Sequence, residues 1–134
     1  MRALVLTTLL TLFPAAGFAS GTWSADSRGI TLSLRNQALS TPALSPPGSA
    51  PVGQALIATV NWRYRLLGPT PDGLRVQLCT LQRCTEINGQ SGATHGLGGE
   101  IANQPLRMIF SVAGKGVLNP PLRVVGQEVR VNYR

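Results

Sequence analysis

Residues 56–66 read LIATVNWRYRL, and along this run apolar and polar side chains take turns. Leu56, Ala58, Val60, Trp62, Tyr64 and Leu66 fall on one side. Ile57, Thr59, Asn61, Arg63 and Arg65 fall on the other, the period of two expected of a half-buried strand. Leu106, Met108, Phe110 and Val112 alternate in the same way with Arg107, Ile109 and Ser111, and Val129, Val131 and Tyr133 with Glu128, Arg130 and Asn132. Shorter runs at 29–34, 74–79, 84–87 and 122–125 read as further strands, and no stretch beyond residue 19 carries a helical period. Gly and Pro punctuate the runs, as GPTPDG at 68–73, NGQSG at 88–92 and NPP at 119–121. The pattern predicts a single all-β domain over residues 20–134. Its expected form is a β-sandwich or small barrel of about seven to eight short, mostly antiparallel strands. The segment 40–54, rich in Pro and small residues, reads as an extended surface crossover.

The first residues break the pattern. Arg2, an apolar run over 3–13 and the small-residue exit Gly17-Phe18-Ala19 form the three parts of a cleavable secretory signal, residues 1–19, with cleavage expected between Ala19 and Ser20. The apolar run is short of the roughly 20 residues that span a bilayer, and no later segment is apolar enough, so the mature chain is expected to lack a transmembrane segment. That places the folded domain in the periplasm.

Export changes the meaning of the charge. The chain has 12 basic and 5 acidic side chains and a net charge of +7, and every basic residue except Lys115 is an arginine. An exported protein rarely meets nucleic acid, and the arginines are scattered rather than blocked. No nucleic-acid partner is expected; anionic lipid, acidic polymer or an acidic protein surface fits better. Arg63 and Arg65 project from one face of their strand and are candidate partner-binding residues, able to clamp carboxylates. Arg107 joins them if its strand lies beside theirs in the same sheet.

Export also changes the meaning of the two cysteines. Cys79 and Cys84 flank Thr80-Leu81-Gln82-Arg83 between two strand-like runs, in a compartment where disulfides persist. A four-residue hairpin loop between them favours a structural disulfide. Two thiols and one distant histidine fall short of a zinc set, and redox pairs usually have the closer C-x-x-C spacing.

No catalytic constellation stands out. In GQSGATHG, residues 89–96, Ser91 precedes the sole histidine, His95, by four positions. A nucleophile elbow would need G-x-S-x-G on a strand-to-helix turn, with an acid to orient the histidine, and Ala93 occupies the last motif position. Gly89 and Gly92 read more simply as turn residues. GLGG at 96–99 lacks the lysine and helix of a phosphate loop and reads as a flexible loop. The five acidic residues are dispersed. The chain is therefore read as a non-enzyme without cofactor or metal. A second reading is a carbohydrate- or peptidoglycan-binding module, in which exposed Trp23, Trp62 and Tyr64 would stack on sugar rings.

WRYRLLGPTPDGLRVQLCTLQRC at 62–84, GQSGATHG and the terminal VRVNYR together resemble the flagellar protein FlhE family. The resemblance covers almost all of the chain after the signal, with departures in 40–53 and 97–104. It implies a periplasmic accessory of flagellar biogenesis that supports swarming. Such a protein limits proton leak through the flagellar type III export apparatus, or prevents premature assembly in the periplasm. The implied partner is the export apparatus or a rod or hook component.

Overall fold

The computed structural model describes residues 20–134; the expected signal peptide, 1–19, lies outside the described residues. Within them the chain forms nine strands, β1 (Gly21–Arg28), β2 (Thr31–Leu34), β3 (Leu39–Ser40), β4 (Ile57–Leu67), β5 (Leu74–Cys79), β6 (Cys84–Ile87), β7 (Ser91–Thr94), β8 (Arg107–Val112) and β9 (Val117–Tyr133), and no helix. Five of them make one sheet in the order β1-β9-β4-β7, with β2 added beside the first part of β9. The others make a second sheet, β3-β8-β5-β6. All named pairings are antiparallel. The domain is an all-β sandwich.

The core lies between the sheets. Val60, Trp62 and Tyr64 of β4 and Val129, Val131 and Tyr133 of β9 point into it from one side, and Met108, Phe110, Val112, Val76 and Leu78 from the other. The Tyr64 and Phe110 rings meet edge to face at 5.1 Å across the interlayer, a favoured aromatic arrangement. The buried Trp23 indole donates to the Ala102 carbonyl at 2.9 Å. Cys79 and Cys84 face each other in the β5–β6 register and are joined by a disulfide, Cα to Cα 4.0 Å.

Three features depart from the sequence pattern. The β4–β9 register shifts between Ile57 and Thr59. Such an irregularity reverses the facing of every residue before it, so Ile57 is buried while Leu56, expected inside, is 43% exposed. The segment 40–54 is more than a surface crossover. Leu44 bridges to Leu106 and is fully buried, and Val52 and Thr41 are buried with it. GLGG is a pinned turn. Leu97 is fully buried, Gly98 N donates to His95 O and Gly99 N to Ile57 O, both at 2.9 Å.

Candidate functional site

GQSGATHG folds as a turn followed by an edge strand. Gly89 has φ 81°, the left-handed conformation that glycine adopts freely. Ser91–Thr94 then pairs with β4, Gly92 opposite Trp62 and Ser91 opposite Arg63. The Trp62 indole lies against Gly92, where a Cβ would come within 2.6 Å of the ring, and donates through Nε1 to the Gly89 carbonyl at 3.1 Å. The glycines therefore accommodate a buried tryptophan. Ser91 and His95 are both exposed and share no hydrogen bond, so the strand gives them no common chemistry.

The sugar-platform reading fails on the same geometry. Trp23, Trp62 and Tyr64 are only 2%, 7% and 3% exposed, so none offers a face to a pyranose ring. Burial also raises the Tyr64 phenol above its ordinary value through desolvation.

The outer face of the five-stranded sheet is accessible. Its cross-strand rows are polar: Asp26, Glu128, Arg63 and Ser91 stand in one, Ser24, Arg130, Asn61 and Ala93 in the next. Arg63 Nε donates to Glu128 Oε1 at 2.6 Å, and Nη2 shares the same oxygen. Arg63 is thus already paired, though with its side chain 66% exposed the pair contributes at most about 1 kcal/mol. Arg65 has no such partner among the described residues. It stands in a row with Gly126 and Arg28, and the missing side chain at Gly126 opens a shallow depression of about 380 Å³ between Arg65 and the Asp26–Glu128–Arg63 row. A second depression of about 630 Å³, over Ser24, Asn61, Ser91 and Ala93, adjoins it at Arg63 and Glu128.

Arg107 does not belong to this group. Its strand is in the other sheet, paired with β5 so that Arg107 stands opposite Cys79. The expected three-arginine cluster is therefore two residues, Arg63 and Arg65, with Arg107 near the disulfide. Sequence reasoning missed Glu128 as the partner of Arg63, since 65 positions separate them and no local signal links them. It also missed the notch at Gly126. Among the described residues no group of His, Cys, Asp and Glu could hold a metal ion.

The domain is a disulfide-stapled β-sandwich with a buried apolar core and a polar outer face on its five-stranded sheet. The chain belongs to the flagellar protein FlhE family, whose family model matches residues 29–134. It is 47% identical to flagellar protein FlhE of Escherichia coli K12 over the full length of both chains. It is 44% identical to that of Yersinia enterocolitica, covering 99% of this chain and 95% of that one. A crystal structure of FlhE superposes with a TM-score of 0.80 at 43% identity, covering 86% of this chain and 97% of that one.

Proposed function

We propose that this protein is a non-enzymatic periplasmic accessory of flagellar biogenesis. It supports swarming by binding a component of the export apparatus, rod or hook, and so limits proton leak or premature assembly. The observation that carries this reading is family membership over nearly the whole domain. The envelope location is supported by the secretory pattern of residues 1–19 and by a disulfide that suits an oxidising compartment. The binding surface of this reading is the outer face bearing Arg63 and Arg65, two guanidinium groups on alternate residues about 6–7 Å apart. Such a pair steers and orients an acidic partner more than it adds affinity.

A deletion strain complemented with the wild-type gene, or with Arg63→Glu/Arg65→Glu, tests both parts. Deletion should impair swarming or cytoplasmic pH balance, and the doubly reversed protein, present at normal level and folded, should fail to restore it. Normal swarming and pH in the deletion strain would refute the function. Full complementation by the reversed protein would refute only the arginine face.

A further inference from the structure

The two flanks of β4 are filled unequally. On one side β9 accompanies it to its end, as far as the Leu67–Arg123 pair. On the other side β7 covers it only from Val60 to Arg63. Tyr64 N still donates to Gln90 O at 2.8 Å, and the chain turns away at Gly89. Leu66 N is left with the Gln90 side chain, whose Oε1 accepts at a long 3.4 Å in the place of a backbone carbonyl. The row Asp26–Glu128–Arg63 is completed by Ser91, whereas the row Arg28–Gly126–Arg65 has no fourth member. β4 thus keeps a short open edge over residues 64–67, the kind of edge to which another strand can pair.

Beside this vacancy lies a cleft of about 470 Å³. Its floor is made by Tyr64 from one sheet and by Val76 and Ile87 from the other, all buried, and its rim includes Asp72 and Gln90. The Tyr64 hydroxyl has no hydrogen-bond partner among the described residues, yet it is not sealed from solvent; the atom there that is both unbonded and sealed is Gln127 Oε1. Buried polar groups are nearly always bonded, so a phenol left open at the floor of a cleft marks a place for a polar atom from outside. The other buried phenol, Tyr133, is also unbonded but lies against Gly21, where β1 already pairs.

The electrostatics of the edge select its occupant. Alternation along β4 turns Arg63, Arg65 and Leu67 outward and Tyr64 and Leu66 inward. Arg63 is held by Glu128, but Arg65 has no carboxylate partner among the described residues. A strand laid along this edge would set one side chain directly opposite Arg65, where an acid is favoured and a base repelled. The side chains on either side of that one would face inward over the cleft. Two other open edges fit less well. β6 lies beside the turn after Thr94, with Gly96 against the Thr85 side chain and Gly98 O accepting from Arg83 at 3.4 Å, and its Glu86 is already paired with Arg75. β1 carries Asp26 as well as Arg28 on its outer face, so an acidic strand there meets a like charge.

We propose that the open edge of β4 accepts an extended acidic segment of another protein as an added strand, with a carboxylate opposite Arg65 and a hydroxyl- or amide-bearing side chain over the cleft against Tyr64. The incoming backbone takes the place of the Gln90 side chain at Leu66 N. This deepens the binding reading above: it rests on that reading for a protein partner and for Arg65, and it assigns the way the partner attaches.

The probe is a blocked heptapeptide alternating glutamate and threonine, titrated into the isotope-labelled protein and followed by NMR. Amide shifts should concentrate at residues 64–67, 72–76 and 87–90, with nuclear Overhauser contacts between the peptide backbone and Leu66 N–H. A peptide with lysine in place of glutamate should bind about tenfold more weakly, and Arg65→Glu should reverse that preference. Tyr64→Phe should weaken the threonine peptide about fivefold and leave a valine counterpart unaffected. Gln90→Ala frees Leu66 N–H and should tighten binding about twofold to threefold. Arg28→Gln, two strands away, should change it by less than about twofold. Unaltered shifts elsewhere in each variant confirm that folded proteins are compared. No binding at millimolar peptide overturns the proposal, as does self-association of the protein through this edge, which would give the edge to a second copy. If Arg65→Glu weakens binding while Tyr64→Phe and Gln90→Ala do not alter it, and the shifts spread over the outer face, strand addition is refuted and the arginine face survives.

Discussion

Alanine at Gly92 would place its methyl carbon 2.6 Å from Cη2 and 2.8 Å from Cζ2 of Trp62, well inside carbon–carbon contact. Gly92 has no positive φ, so backbone strain plays no part and the cost is steric. The indole cannot retreat without stretching its hydrogen bond to Gly89 O. Overpacking of this kind costs about 1–3 kcal/mol, and weakening the hydrogen bond adds about 1 kcal/mol. Alanine recovers roughly 0.5–1 kcal/mol because it loses less backbone entropy in a strand than glycine. The expected net loss is about 1–3 kcal/mol, a large share of the roughly 5–15 kcal/mol that holds a domain together. Urea denaturation followed by tryptophan fluorescence should show a lower midpoint at unchanged slope. Trp62→Phe removes the ring atoms the methyl would strike, so in that background Gly92→Ala should cost close to nothing. Equal losses in both backgrounds, or a Gly92→Ala protein as stable as wild type, would refute the contact.

Two further stability predictions follow from the hairpin and the core. Cys79→Ser/Cys84→Ser should lower stability by about 2 kcal/mol, the chain-entropy value for so short a loop, measured as the difference in urea midpoints. Reduction of the wild type should reproduce the loss. Burial holds the Tyr64 phenol above its ordinary value, so the folded state keeps this proton to higher pH than the unfolded state. Stability from this group should be complete below about pH 10 and decline as pH rises through the folded value. Alkaline denaturation of Tyr64→Phe should lack that part of the decline.

Strands buried on one face by alternating side chains were legible in the sequence. Residues 107–112 and the last part of β9 follow their alternation, and the hairpin disulfide follows from spacing and compartment. What escaped depends on partners distant in sequence. β1 sits at a sheet edge and sends only Trp23 fully into the core, so its pattern is weak. Ser91–Thr94 looks like a turn because its glycine serves a tryptophan ring thirty positions upstream. Pro120 and Pro121 read as a break, yet β9 runs through them, because the β2–β9 register is irregular between its Leu34 and Leu32 pairings and ladder donors are dispensable there. The placement of the arginines was half legible: alternation put Arg63 and Arg65 on one face, but placing Arg107 required knowing which strands share a sheet, and β8 pairs with β5 and β3.

β9 is both the last strand and the one beside which β1, β2 and β4 all lie, with Gly21 set against Tyr133. Until β9 is available, β1 and β2 have no strand to pair with and β4 lacks one of its two neighbours. The β5–β6 hairpin, its β8 neighbour and the β4–β7 pair do not need β9, and their partners are nearer in sequence. Folding dominated by so distant a pairing is slow to begin. A polypeptide arranged in this order cannot close its larger sheet before its last strand arrives, so that sheet is the late event of folding.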